Sequence, residues 1–518
     1  MMSVKLPDLK NRIILGFIFV FSSVHAQEYS VEKIPNRFLL SWESVSMVGE
    51  PDLGFIGMGY DLFKLSKKHT KLYFGLRSYS AVKGIRPGLI TLGMASGWRT
   101  EIFKKNTYLD FGGFIGAGGG GGAADGGGLI LRPHITLEKE LNQVIFRLGV
   151  SQINFPSGEI RGSQINFGIA LRGANYLKIE DTNALLLSDK IIKTNKLRVA
   201  LAGTQYAYFG KGSVSSSLAA EKRKASLMGI QIERDIGSKL YGVLKLNGAF
   251  KGGIDGYMSI LFGLGKRFPL ITNKLHMEGS FLFGPSGGGG IESGGGAITQ
   301  VEMGIKLDLP NNYDVKLMAG KTKALSGPFR VNHFEMSLGK SFEKLFPDNL
   351  DIKQNKFNVH SSNFNENHLA FSVFNRTYLP PNRLRKDGDV YQSYFNLLGF
   401  EINKYLTKSI SISGGTVWAY QGDYGAYAEG LLGLTYYHTI SKNCKLTFRG
   451  MFGAGGGGDI DLGSGLLFQY SVGFEKKLNQ QWDFYIQGGK TQPIKGNFTP
   501  FSIDSGFKFH IYQLLKKS

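Results

Sequence analysis

Polar and apolar residues alternate with a period of two along nearly the whole chain, the pattern of β-strands with two unlike faces. In Ile503 to Tyr512, the residues Ile503, Phe507, Phe509 and Ile511 share one face. Asp504, Gly506, Lys508 and His510 share the other. The same alternation runs through Ile165 to Leu171, Phe334 to Leu338 and Trp482 to Gln487. Each stretch is about as long as a strand needs to cross a bilayer at a tilt. The pattern predicts an all-β protein whose strands keep an apolar face toward lipid and a polar face inward.

A long repeat organises these strands, and such a repeat changes the fold expected. Gly116-Ala117-Gly118 to Gly122 leads through Asp125 to Gly126-Gly127-Gly128. Gly284-Pro285-Ser286-Gly287 to Gly290 leads through Glu292 to Gly294-Gly295-Gly296, and Gly453-Ala454-Gly455 to Gly458 leads through Asp459 and Asp461 to Gly463 and Gly465. The uninterrupted runs begin at 118, 287 and 455, at intervals of 169 and 168 residues. Glu138-Lys139-Glu140-Leu141-Asn142 and Glu475-Lys476-Lys477-Leu478-Asn479 keep the same register. Each unit reads as eight strands. In the third they start near His368, Tyr391, Ser409, Ala426, Cys444, Leu466, Trp482 and Phe501. The first unit parses between Asn36 and Arg172, the second between Lys196 and Phe342.

The resulting organisation is a leader over 1–26, repeats over 27–178, 196–344 and 368–518, and polar linkers over 179–195 and 345–367. Lys-rich turns are expected at Lys67-Lys68-His69, Lys104-Lys105-Asn106, Lys266-Arg267 and Lys476-Lys477-Leu478-Asn479. The alternate connections are Gly-rich and usually longer, matching short periplasmic turns and longer outward loops. Two closures fit eight strands repeated three times: three small antiparallel barrels, or one 24-stranded barrel. Both long connections fall at unit boundaries, and no insert is large enough to plug a wide lumen, which favours three small barrels.

The units resemble the small eight-stranded outer-membrane β-barrels of bacteria in strand number and alternation, over nearly all of the chain after the leader. That resemblance implies insertion by the barrel assembly machinery and roles in anchoring, recognition or lipid-directed chemistry. It carries over no functional residue.

Composition sharpens this picture. The chain has 72 Gly, 38 Phe and 23 Tyr but 15 Pro, and one cysteine, Cys444. A mean hydropathy of −0.10 fits a barrel whose two faces average out. Lys5, Lys10 and Arg12 precede the apolar run Ile13 to Phe21 and the small-residue site Val24-His25-Ala26, as in a secretory signal peptide cut before Gln27. The run is too short to span a bilayer as a helix. The net charge is +21, and cleavage removes three basic residues and the acid Asp8. For an exported protein this charge points to membrane lipids, anionic headgroups or anionic glycans as partners, not nucleic acid.

Candidate chemistry is sparse. Gly121 to Leu129 has the flavour of a calcium-binding nonapeptide, but its copies lie a whole unit apart and cannot share ligands. Gly-rich hairpins joining strands five and six, presented outward and mobile, are the expectation there. Gly320-Lys321-Thr322 and Gly489-Lys490-Thr491 end like a phosphate loop yet lack its first glycine, with Val315 and Phe484 in its place. They read as one repeated strand position. His69, His134, His276, His333, His360, His368, His438 and His510 are scattered, and none recurs in all three units. Cys444 sits in a strand and reads as packing. No catalytic, cofactor or metal residue is assigned. The function expected is a non-enzymatic outer-membrane scaffold or surface receptor, before a channel for anionic or polar solutes and a lipid-modifying enzyme.

Overall fold

The structure is a computed structural model, and it describes residues 28–47, 49–63, 72–103, 106–180, 184–187, 194–215, 224–254, 256–270, 274–345, 355–381, 383–392 and 394–517. The leader, the turn at Lys67-Lys68-His69 and the pair Lys104-Lys105 lie outside them. The described chain is 25 antiparallel strands with two single 3-10 turns. None of its helices is long and apolar enough to cross a membrane.

The first eight strands are β1 (Glu28–Met47), β2 (Glu50–Phe63), β3 (Leu72–Lys83), β4 (Ile90–Phe103), β5 (Thr107–Gly119), β6 (Leu129–Leu141), β7 (Val144–Asn154) and β8 (Arg161–Lys178). Next come β9 (Thr194–Ala207), β10 (Ala225–Asp235), β11 (Leu240–Lys251), β12 (Met258–Pro269), β13 (Leu275–Gly287), β14 (Ala297–Asp308), β15 (Tyr313–Ala324) and β16 (Arg330–Leu345). After the short β17 (Lys356–His360) follow β18 (Phe364–Leu379), β19 (Phe395–Tyr405), β20 (Ile410–Gln421), β21 (Ala428–Ser441), β22 (Cys444–Gly456), β23 (Leu466–Lys477), β24 (Trp482–Pro493) and β25 (Phe501–Lys516).

Consecutive strands pair as hairpins, and three pairings close the sheet. β8 returns to β1 from Val31↔Lys178 to Glu43↔Asn166. β16 returns to β9 from Asn332↔Ala207 to Leu345↔Thr194. β25 returns to β18 from Phe364↔Lys516 to Leu379↔Phe501. Each run of eight therefore forms a ring without a free edge, the condition a bilayer imposes on backbone hydrogen bonds.

The rings are apolar outside and polar inside. Ile165 is 68% exposed and Met303 66%, whereas Arg37, Arg77 and Arg376 are among the most completely buried side chains. On β25, Asp504, Gly506, Lys508 and His510 are buried, Phe507 is exposed, and Phe509 and Ile511 are half-exposed, as the alternation predicts. Strand starts in the third run fall within a few residues of those expected. The largest offsets are His368, which lies after the start of β18 at Phe364, and Tyr391, which precedes β19 with its side chain buried against Phe498, ring centroids 5.3 Å apart. The Lys266-Arg267 turn is also corrected. Both residues lie in β12, Lys266 turned outward and Arg267 reaching Glu278, because the hairpin closes later at Leu270 and Leu275.

The linkers do more than connect. β17 pairs with the start of β1, Glu28↔His360 to Glu32↔Lys356. β8 touches β25 at Leu177↔Gln513, and β16 touches β25 at Lys344↔Leu515. Val31, Tyr176, Leu187, Leu345, Phe357, Val359, Phe364 and Leu514 bury one another there. The chain's first and last strand ends thus meet in one apolar hub at the short-turn end of all three rings.

At the opposite end the rings meet through their middle strands. Strand five of the first ring (β5) packs on strand three of the third (β20), β13 on β3, and β22 on β11. The same surface meets the same complementary surface three times, so the contacts close into a ring with approximate threefold symmetry. Strand four of each ring reaches the centre, where Ile90 and Leu92, Met258 and Ile260, and Ala428 join Trp418 in one apolar cluster.

The glycine runs line these seams and are not free outward hairpins. A Cβ on Gly287 would lie 2.2 Å from the Gly88 nitrogen, and one on Gly295 would lie 2.6 Å from the Lys83 Cα. Gly128 meets the Ala419 carbonyl, and the Gly425 N–H donates to the Gly126 carbonyl at 3.2 Å. Gly456 faces Gly256. Backbone from two rings approaches at distances no side chain permits. Asp125 sits inside one seam; its carboxylate accepts the Gly120 N–H at 2.8 Å, and burial with Asp423 nearby pushes its pKa up to about 6.

Gly287→Val is expected to cost about 1–3 kcal/mol by forcing the first and second rings apart. Gly488, with open space around it, serves as control, and Gly488→Val is expected to change stability by less than about 0.5 kcal/mol. Denaturant unfolding in detergent micelles reads both.

A carboxyl whose pKa rises on folding contributes stability present below its unfolded pKa and lost as pH rises through the folded value. The seam between the first and third rings should therefore loosen between about pH 4 and 6. Amide exchange at Gly126 and Gly425, corrected for its intrinsic pH dependence, should speed up across that window. In Asp125→Asn the change should vanish; an unchanged profile in the variant contradicts the assignment.

Candidate functional site

The alternation that makes the outer belt also sends a row of polar side chains into each ring, where they must neutralise one another away from water. In the first ring Arg37 bridges Asp61, Asp110 and Glu138 at 2.7, 2.8 and 2.7 Å. Arg147 binds Asp110 and Glu138, Arg77 binds Asp61, and Arg99 binds Glu138 and Glu140. Nearer the longer-loop end Arg132 holds Glu43 through both oxygens and stacks 4.6 Å over the Tyr79 ring, while Ser151 donates to the same carboxylate.

The second ring repeats the principle with different residues. Arg198 binds Asp314 and Glu233, Lys245 binds Glu302 and Glu335, and Lys316 binds Glu233 and Glu278. Lys316 on strand seven with Glu278 on strand five corresponds to Arg147 with Asp110 in the first ring. In the third, Arg376 makes a two-pronged pair with Asp504 at 2.8 Å twice, Tyr378 and Tyr427 donate to Glu429, Arg449 binds Glu401, and Lys508 binds Glu475.

Above each ionic layer, toward the longer-loop end, lies an apolar plug. In the first ring it contains Val45, Leu53, Phe55, Tyr79 and Phe114. In the second it is built on Tyr206, Phe209, Tyr257 and Phe329, and in the third on Tyr378, Phe395, Tyr424 and Phe498. The Phe395 and Tyr424 rings are 4.1 Å apart. Inside the third ring the space lined by Glu401, Arg449, Glu475 and Lys508 is about 10 Å³, room for about one water molecule and too little for a larger solute. A larger cavity of about 360 Å³ is lined by Gln392, Tyr394, Gln421 and Gly422, at the end of β20 and in the segment before β19.

Two constellations escaped the sequence reading. Thr322 Oγ1 lies 3.2 Å from His333 Nδ1, and His333 Nε2 lies 3.3 Å from Glu302. This is the order of a hydroxyl, a base and an orienting acid, but all three are sealed under the plug and Glu302 is held by Lys245. In the third ring His368 Nε2 lies 2.8 Å from His510 Nδ1, and His510 Nε2 lies 2.8 Å from Asp483. His368 is stacked between Tyr405 at 4.0 Å and Tyr512 at 4.4 Å.

Glu475, Asp483 and His510 place donor atoms within 4.8 Å of one another, the one such group among the described residues. The ammonium groups of Lys508 and Lys445 already face Glu475, so a divalent cation would meet two like charges. The cluster is a balanced part of the ionic filling. The residues involved lie up to 142 positions apart, and only barrel closure brings His368 beside His510.

The remaining candidates fall outside these groups. His134 lies 3.3 Å from the Tyr73 hydroxyl, His276 pairs with Asp308, His438 is exposed, and His360 ends β17. Gly320-Lys321-Thr322 and Gly489-Lys490-Thr491 both occupy strand seven of their rings, with Thr322 and Thr491 buried. The acids after the glycine runs hold turns: Asp461 accepts the Gly463 and Asn497 N–H groups as Asp125 accepts that of Gly120. Cys444 is a half-buried free thiol at the start of β22.

Arg132→Met leaves Glu43 buried without its cation and should destabilise the fold by about 3–5 kcal/mol. Adding Glu43→Gln should recover much of that loss, because the remaining amide still bonds to Ser151. Urea unfolding in lipid vesicles, followed by tryptophan fluorescence, measures both. Additive losses in the double variant would show that the pair is not coupled.

No family model and no curated protein sequence matches the chain. Among solved structures it is similar to the siderophore receptor PirA from Pseudomonas aeruginosa, at 10% identity and TM-score 0.27, over 92% of this chain and 80% of that one. It is also similar to OpdQ from the same organism, at 9% identity and TM-score 0.21, over 93% and 98% of the two chains. The placement rests on the construction itself: closed antiparallel rings, an exposed apolar belt and charge-matched interiors are the build of an outer-membrane β-barrel protein.

Proposed function

We propose that the chain is a sealed, non-enzymatic scaffold of the outer membrane, three eight-stranded barrel domains spanning 27–178, 196–344 and 368–518 that descend from one repeated unit. The observation that carries this reading is the filled interior. Each ring combines a layer of cross-linked ion pairs with an apolar plug, and among the described residues each buried Arg and Lys in those layers has a carboxylate partner. A conducting pore needs binding weak enough to release its solute. Breaking these pairs to admit an ion would leave buried charges unmatched, at a cost of several kcal/mol each.

The same filling argues against lipid-directed catalysis. The Thr322–His333–Glu302 group has the right order, but all three side chains are buried and Glu302 is held by Lys245. What remains available to a partner is the rim. The described residues 208–215 and 383–392 stand at the longer-loop end, so a receptor role would use them and not the glycine runs. Insertion by the barrel assembly machinery follows from the same reading.

Planar-bilayer recording of the purified full-length chain tests the proposal. The expected trace has no discrete conductance steps at either polarity. Reproducible steps with anion selectivity would replace the scaffold by a channel for anionic solutes.

A further inference from the structure

The outward face of the second ring carries a feature that barrel closure does not explain. Lys323 on β15 and Arg330 on β16 are directly opposite partners, and Lys321 follows on the same face opposite Asn332. All three side chains are exposed. Like charges directly opposite one another on a sheet repel. Among the described residues no ion pair joins any of the three to an acid, including Glu292, whose carbonyl accepts the neighbouring Phe329 N–H.

Two further groups extend the patch. Arg330 lies across Gly210, where an added Cβ would come within 2.3 Å of its side chain, and the Gly210 N–H donates to the Arg330 carbonyl. Exposed Lys211 follows, and Tyr208 is 79% exposed beside them. Immediately below, on the same outward face, lie Val301, Met303, Phe334 and Met336, all strongly exposed. Cations and an aromatic ring therefore stand at the rim of the apolar belt, at the end with the longer loops.

The other two rings supply an internal comparison. The positions equivalent to Lys321, Lys323 and Arg330 are Gln152, Asn154 and Arg161 in the first ring, where Asn154 again pairs with Arg161. In the third, Lys490 and Gln492 stand on β24, and Lys490 pairs with Phe501. Neither of these rims places one cation directly opposite another. The barrel thus needs no cation cluster there, and the second ring alone has one.

We propose that Lys321, Lys323 and Arg330, with Lys211, bind the phosphate groups of a phosphorylated glycolipid in the outer leaflet, with its acyl chains lying along Val301, Met303, Phe334 and Met336. The proposal rests on the outer-membrane reading and on the orientation given by the short turns. Phosphate oxygens relieve the Lys323–Arg330 repulsion and accept charge-assisted bonds from both. A cation near an anionic membrane surface contributes enough that losing three should weaken binding on the order of a hundredfold.

The test uses the full-length chain in a zwitterionic detergent and diphosphorylated lipid A as the probe, with binding read by native mass spectrometry. Lys321→Gln/Lys323→Gln/Arg330→Gln is compared with Arg161→Gln/Lys490→Gln, which alters the equivalent rims. The first variant should lose about a hundredfold in affinity and the second less than about twofold. Both should keep the heat-dependent gel shift of a folded barrel. Equal loss in both variants, or no loss in the first, overturns the site. Phosphatidylglycerol competing as well as lipid A overturns the choice of an outer-leaflet glycolipid, and dephosphorylated lipid A binding undiminished overturns the phosphate contact. Cell fractionation and surface labelling of Lys211→Cys separately read the membrane and the orientation, so an error there is distinguished from failure of the site.

Discussion

Every backbone N–H and C=O in the apolar part of a bilayer must find a partner within the protein, and the rest of this structure follows from that demand. Eight strands satisfy it by returning to the first, as β8 does to β1, β16 to β9 and β25 to β18. Closure on eight strands leaves an interior just wide enough for side chains to fill. The filling is then constrained in turn, since strand alternation brings charged groups inside, away from bulk water. Arg37 among three carboxylates, Lys245 between Glu302 and Glu335, and Arg376 on Asp504 solve the same problem with different residues.

Closing three times instead of once creates surfaces that a single large ring would not have. Three convex walls touch along narrow lines, and the apolar belt there must be exchanged for protein contact. Side chains hold two sheets about 10 Å apart. Removing them lets backbones approach, which is why the glycine runs fall where β5, β13 and β22 meet the third strand of the next ring. The positive φ angles of Gly88, Gly288 and Gly457 serve the tight reversals at the same seams. At the opposite end the hub of Val31, Phe357, Phe364 and Leu514 ties the rings through the linkers. A seam at one end and a hub at the other restrain both the separation and the splay of the rings.

Strand alternation and the all-β antiparallel build were legible because each depends on local sequence. So was the facing of Asp504, Lys508 and Phe507, since a period of two allows only one lipid-facing choice. The contacts between rings were not legible. Gly287 against Gly88 and Gly425 against Gly126 join segments about two hundred or more residues apart, and a glycine run reads equally as a mobile hairpin or as a close-packed seam. β17 was hidden for another reason: Lys356 to His360 is too short to show a period, and its partner is the distant start of β1. His368 and His510 were each visible, but nothing local to either records the other.

The same physics explains why function is the least legible layer. In the interior the rings differ in residue identity while each cation keeps a carboxylate, so Arg147–Asp110 in one ring stands where Lys316–Glu278 stands in the next. Polar residues that change identity while retaining charge balance mark a filling, and a catalytic centre would instead demand one fixed geometry beside an open space. On the lipid-facing rim no such compensation acts, because exposed charges there have only solvent and headgroups as neighbours. A difference between rings at the rim therefore carries more information than one inside. Lys323, directly opposite Arg330, stands where the other rings have Asn154 and Gln492, a change that barrel stability alone opposes, and in the proposed site the phosphate groups offset that repulsion.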